Sequence, residues 1–129
     1  MFKRIDHVEI APSDLEASIA FYTDVLGFRL KERINIGSPM LKQVVYLELG
    51  DTMLELLELV NPAPVDHTPR VGYRIMALEV DDMAETVAYL ADKGIQPSVP
   101  PMDVGGGSLR GEIKDVDGLS IELRQWWRA

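Results

Sequence analysis

Twice along the chain a short run of alternating apolar and polar residues gives way to a helical pattern and then to three more alternating runs. The first cycle opens on His7-Val8-Glu9-Ile10, the alternation of a half-buried strand. Leu15, Ile19, Tyr22 and Leu26 then fall on one helical face. Ser13, with Glu16 beyond it, predicts a capping box at the start of that helix, and Gly27 predicts its left-handed end. Phe28 to Ile36, Leu41 to Leu49 and Thr52 to Leu59 read as three strands, with Gly50-Asp51 turning the last pair.

The second cycle copies the first. Ile75-Met76-Ala77-Leu78 repeats His7-Val8-Glu9-Ile10, and Asp82 repeats Asp14, at a constant offset of 68 positions (75 − 7 and 82 − 14). Leu54-Glu55-Leu56 returns as Ile121-Glu122-Leu123 at an offset of 67 (122 − 55). Met83, Val87 and Leu90 form the second helical face, capped by Asp82 and stopped by Gly94. Strands are predicted at 96–99, 108–115 and 119–125, with Asp117-Gly118 as a hairpin turn. The expected organisation is one domain of two β-α-β-β-β modules, 1–61 and 71–129. Pro62, Pro64 and Pro69 fall in the extended linker 62–70. The fold class is α+β. Modules this small bury little core alone, so they are expected to pair within the chain or across a dimer.

Strand parity sorts the side chains by face. Val8, Ile10, Leu54, Leu56, Met76, Leu78, Ile121 and Leu123 belong under the helices. His7, Glu9, Glu55, Glu79, Glu122 and Arg124 are left on the opposite face. Carboxylates on a sheet usually mean a solvated face. Here two glutamates recur at one place in an apolar frame, which favours a shared role.

Composition narrows the chemistry. Of 129 residues, 21 are Asp or Glu and 13 are Lys or Arg, a net charge of −8 that disfavours binding to nucleic acid or to an anionic membrane surface. No cysteine is present, which excludes disulfides, thiolate metal sites and a cysteine nucleophile. The opening Met1 to Asp6 has no apolar signal-peptide core, and no run nears the ~20 apolar residues of a membrane helix. The expectation is a cytoplasmic protein.

Asp6-His7-Val8, Asp14-Leu15-Glu16 and Phe21-Tyr22-Thr23-Asp24-Val25-Leu26-Gly27-Phe28 resemble the vicinal oxygen chelate superfamily of glyoxalases, bleomycin-resistance proteins and extradiol dioxygenases. Thr52-Met53-Leu54-Glu55-Leu56, Glu79-Val80-Asp81-Asp82 and Asp115 to Leu123 carry further signatures of that group. Lactoylglutathione lyases and methylmalonyl-coenzyme A epimerases are nearest in character. The resemblance implies a cupped, barrel-like mixed sheet with helices outside. It also implies one divalent ion (Ni, Co, Mn, Zn or Mg) in the cup, and a homodimer. By position its metal ligands are His7, Glu55 and Glu122, with Ile75 where a second histidine is usual. That departure argues against dioxygenase and fosfomycin-type transferase chemistry.

Two functions follow from the resemblance. One is a metal-dependent lyase, isomerase or epimerase acting on a small oxo- or hydroxy-acid or thioester through an enolate-like intermediate. Glu122 or Glu55 then moves the proton, with Glu122 favoured as base. Arg124 is placed to meet a substrate carboxylate or phosphate, or else to pair with Glu9 or Glu79, and Ile75 to line the substrate pocket. The other function is metal-free sequestration of a small molecule, favoured by Ile75 and by an acidic face suited to a cationic ligand. His67 reads as an exposed linker residue and Gly105-Gly106-Gly107 as a flexible loop or flap. Trp126 and Trp127 read as packing or dimer contacts.

Overall fold

A computed structural model describes residues 1–127. The chain forms two compact units, Met1–Val65 and the residues from Asp66 onward, so the division falls inside the proline-bearing segment. Residues 60–75 of that segment carry no helix or strand.

The first unit contains β1 (Val8–Ile10), α1 (Leu15–Ala20), a π-helical continuation (Phe21–Val25), β2 (Arg29–Asn35), β3 (Leu41–Leu49) and β4 (Thr52–Leu59). Its sheet has the order β1-β4-β3-β2, with β1 parallel to β4 and the other pairs antiparallel. The second unit contains β5 (Met76–Glu79), α2 (Met83–Asp92), β6 (Val99–Gly105), β7 (Ser108–Lys114) and β8 (Ser120–Trp126). Its order, β5-β8-β7-β6, is the same topology again. The α+β class and the repeated module hold. Each sheet is open, with two edge strands, rather than a closed barrel.

Register makes the duplication physical. Val8 pairs with Leu54 and Glu9 with Glu55; Met76 pairs with Ile121 and Ala77 with Glu122. Tyr46 lies directly across from Glu55, and Glu112 directly across from Glu122.

The helix-side face of the first sheet is Val45, Leu47, Leu54 and Leu56, all buried. Leu15, Phe21, Tyr22 and Phe28 pack there, with the Tyr22 ring edge-on to Phe21 at 5.2 Å and to Phe28 at 5.7 Å between centroids. Such pairs add about 0.5–1.5 kcal/mol to the burial itself. In the second unit Met83 and Leu90 of α2 and Ile113, Ile121 and Leu123 of the sheet are buried.

Several local expectations shift. The first helix is capped by Asp14 rather than Ser13: the Asp14 carboxylate accepts from the Ala17 N–H at 3.1 Å. Asp82 caps α2 as expected, accepting from the Glu85 N–H at 2.9 Å. The α1 helix loosens into its π segment where the Thr23 hydroxyl donates to the Ile19 carbonyl at 2.7 Å and so competes for a ladder acceptor. The strand expected at 96–99 runs instead over Val99–Gly105. Gly106 (φ 63°) and Gly107 (φ 73°) make a tight hairpin turn between β6 and β7, because both central positions need positive φ. The glycine run is therefore the turn chemistry of a β-hairpin.

Among the described residues no helix is long and apolar enough to cross a membrane.

Candidate functional site

The face of the first sheet turned away from its helix carries the site. His7 precedes β1, Glu9 is its middle residue, and Glu55 lies beside Glu9 on β4. His7 Nε2 stands 3.1 Å from Glu9 Oε2 and 3.4 Å from Glu55 Oε2. His7 Nδ1 stands 2.8 Å from Asp6 Oδ2. One donor atom from each of His7, Glu9 and Glu55 lies within 4.8 Å of the other two. Glu55 is buried, His7 half-buried and Glu9 exposed, so the group opens to solvent on one side.

This arrangement has an electrostatic consequence. An imidazole that donates Nδ1–H to Asp6 keeps a lone pair on Nε2 when neutral. That lone pair then faces two carboxylate oxygens, three acceptors with no donor among them. Either a proton on Nε2 or an external cation relieves the repulsion. The proton case is visible in the imidazole itself. Its hydrogen bond to Asp6, and then that to Glu9, hold His7 above its ordinary value of 6.5, against the opposing effect of burial. The cation case suits a divalent ion. Nitrogen and carboxylate oxygen are donors for Mg, Mn, Co, Ni or Zn, and Asp6 fixes the ring as an outer partner does in metal sites.

Tyr46 completes the group. Its hydroxyl hydrogen-bonds Glu55, which with burial raises the phenol above its ordinary value of 10.0. Its ring sits edge-on to His7 at 6.4 Å. Sequence reasoning missed Tyr46, although the turn at Gly50-Asp51 pairs Leu49 with Thr52 and, counting back, Tyr46 with Glu55. Glu9 was placed on this face but given no part in holding the ion.

The equivalent face of the second unit is built differently. Glu122 is buried, and Arg110 Nε donates to its Oε1 at 2.5 Å. Arg110 Nη2 also reaches Glu112 Oε2 at 2.6 Å, and Arg124 Nη2 lies 3.0 Å from Glu122 Oε2. Arg124 donates to Ser108 Oγ at 3.3 Å and stacks over Trp126 at 5.0 Å. Within its own unit Arg124 is thus paired with Glu122. Ile75 is half-buried just before β5, and Ala77 stands beside Glu122. His67 is exposed, with Nε2 3.8 Å from the position a Cβ on Gly118 would take.

Known proteins place this fold. The model of the Glyoxalase/Bleomycin resistance protein/Dioxygenase superfamily matches residues 4–123. The chain belongs to that superfamily. Human mitochondrial methylmalonyl-CoA epimerase is 30% identical over 130 residues, covering 95% of this chain and 73% of its own length. A probable lactoylglutathione lyase of Vibrio cholerae is 32% identical over 125 residues, covering 95% and 90%. The glyoxalase I of Leishmania major superposes with a TM-score of 0.75 at 28% identity, covering 95% of this chain and 86% of that one.

Proposed function

We propose that the protein is a metal-dependent lyase, isomerase or epimerase that moves a proton beside a carbonyl in a small oxo- or hydroxy-acid or thioester. The observation that carries this reading is His7 Nε2 aimed at the carboxylates of Glu9 and Glu55, at 3.1 and 3.4 Å. Relatives named as a methylmalonyl-CoA epimerase and a lactoylglutathione lyase support the same chemistry.

His7 and Glu55 would hold a divalent ion, which would supply electrostatic stabilisation for negative charge on the carbonyl of a substrate that loses its neighbouring proton. The protein's own groups do the rest. Asp6 keeps the His7 ring turned with Nε2 toward the face. Tyr46 holds Glu55 by a hydrogen bond. A carboxylate takes the proton and returns it. By the family resemblance that base is Glu122, with Glu55 as the second candidate. Arg124 is assigned to a substrate carboxylate or phosphate, with Ile75 giving apolar lining. In this reading the protein works as a homodimer in the cytoplasm.

A second reading, metal-free binding of a small molecule, draws on Ile75 and Ala77. They put hydrocarbon at the places where the first unit has His7 and Glu9. One experiment separates the two. Metal-stripped protein is titrated with Ni²⁺, Mn²⁺ and Zn²⁺ by calorimetry, then assayed in D₂O for exchange of the α-proton of methylmalonyl-CoA. Ion binding with exchange that Glu122→Gln abolishes supports the enzyme. No ion binding and no exchange supports sequestration.

A further inference from the structure

The duplicated register allows the two faces to be compared position by position. His7, Glu9, Tyr46 and Glu55 of the first unit correspond to Ile75, Ala77, Glu112 and Glu122 of the second. Each face therefore brings two carboxylates together, Glu9 with Glu55 and Glu112 with Glu122. Neighbouring carboxylates on a half-buried face repel unless a positive charge sits between them.

The second unit supplies that charge from its own chain. One Arg110 guanidinium reaches Glu122 through Nε at 2.5 Å and Glu112 through Nη2 at 2.6 Å. Arg124 adds a second cation at 3.0 Å. Each Glu122 oxygen already faces a guanidinium that an incoming ion would have to displace or stand beside, and a planar fork bound to two carboxylates is strongly held. In the first unit, Val44 and Leu57 correspond to Arg110 and Arg124. Among the described residues neither Glu9 nor Glu55 has a lysine or arginine partner; the charge their own chain offers them is the protonated His7 imidazole, at 3.1 and 3.4 Å, and a bound ion takes the place of that proton.

We infer that the cation site is complete within the first unit, with Glu9 as its third ligand beside His7 and Glu55. In the second unit Arg110 stands in permanently for an ion between Glu112 and Glu122. This rests on the proposed metal dependence but departs from the ligand set that the family resemblance implies, which uses Glu122 and leaves out Glu9. One nitrogen and two carboxylate oxygens leave further positions open for water and for a substrate with two oxygens.

The test is calorimetric titration of the full-length, metal-stripped chain with Mn²⁺ and Zn²⁺, using Glu9→Gln, Glu122→Gln and Arg110→Met. Circular dichroism confirms that each variant is folded. Glu9→Gln is expected to weaken ion binding at least tenfold. Glu122→Gln is expected to change it less than twofold. Arg110→Met is expected to melt earlier yet bind the ion as the parent does. If Arg110→Met instead tightens ion binding, freeing Glu122 has added a ligand and the inference is overturned. It is equally overturned if Glu122→Gln costs tenfold while Glu9→Gln costs nothing, although metal dependence then survives. A parent protein that binds neither ion overturns both. If Glu122→Gln does not fold, the Arg110→Met titration decides alone.

Discussion

Tyr46 and Glu55 stand directly opposite each other across the β3–β4 hairpin, and the phenol hydroxyl bonds the carboxylate. Glu55 is 7% exposed, so little water replaces that bond if it is lost. Tyr46→Phe is therefore expected to destabilise the metal-free protein. Urea denaturation measures it. The same variant is expected to weaken ion binding several-fold while leaving the fold intact.

The His7 imidazole sets opposite pH trends with and without an ion. Its folded value is raised above the ordinary 6.5 by Asp6 and Glu9. In the metal-free protein its contribution to stability is thus fully present below about 6.5 and is lost as pH rises through the raised value. An ion needs the same nitrogen unprotonated, so its affinity falls by about tenfold per pH unit below that raised value. Asp6→Asn removes the largest cause of the shift and is expected to move both transitions to lower pH. NMR titration of the His7 ring protons, assigned with a His67→Asn variant, checks the first trend. Calorimetry at stepped pH checks the second.

The helix caps make a matched pair. Asp14 and Asp82 each accept from a backbone N–H in the first turn. Replacing either with Ala is expected to cost about 1 kcal/mol, and replacing either with Asn much less. Thermal melts of the four variants test this.

Leu56 is 0% exposed on the helix-side face of β4, next to Glu55 on the opposite face. Leu56→Ala is expected to cost about 2–5 kcal/mol through lost burial and the cavity left behind. The loss is read from chemical denaturation. It should appear equally in metal-free and metal-loaded protein, because the side chain faces away from the ion's ligands.

What the sequence made legible was whatever depends on period and on turn chemistry. Alternation along Leu41–Leu49 and Thr52–Leu59 located β3 and β4 to the residue, and Gly50-Asp51 fixed their register. The offset between Glu55 and Glu122 located the two carboxylates at equivalent places. Which cation each carboxylate meets was not legible. Arg110 reaches Glu122 from a neighbouring strand, and its charge alone does not distinguish a solvated arginine from one held between two glutamates. The first cap slipped by one residue because Ser13 and Asp14 are both good capping residues, and only the backbone turn chooses between them. The strand over Val99–Gly105 was misplaced because Pro100 and Pro101 argue against any strand whose N–H groups are needed.

Those prolines have a use of their own. β6 is an edge strand, and Pro100 and Pro101 offer no N–H to an incoming chain. Along the β2 edge, Arg29, Lys31, Glu32 and Arg33 put charge where another strand would have to dock. Open sheets invite runaway strand addition between molecules, and both of these borders are blunted against it. Concentrated solutions should therefore stay free of fibrils, whereas replacing Lys31 and Arg33 with threonine should bring on thioflavin-positive aggregation.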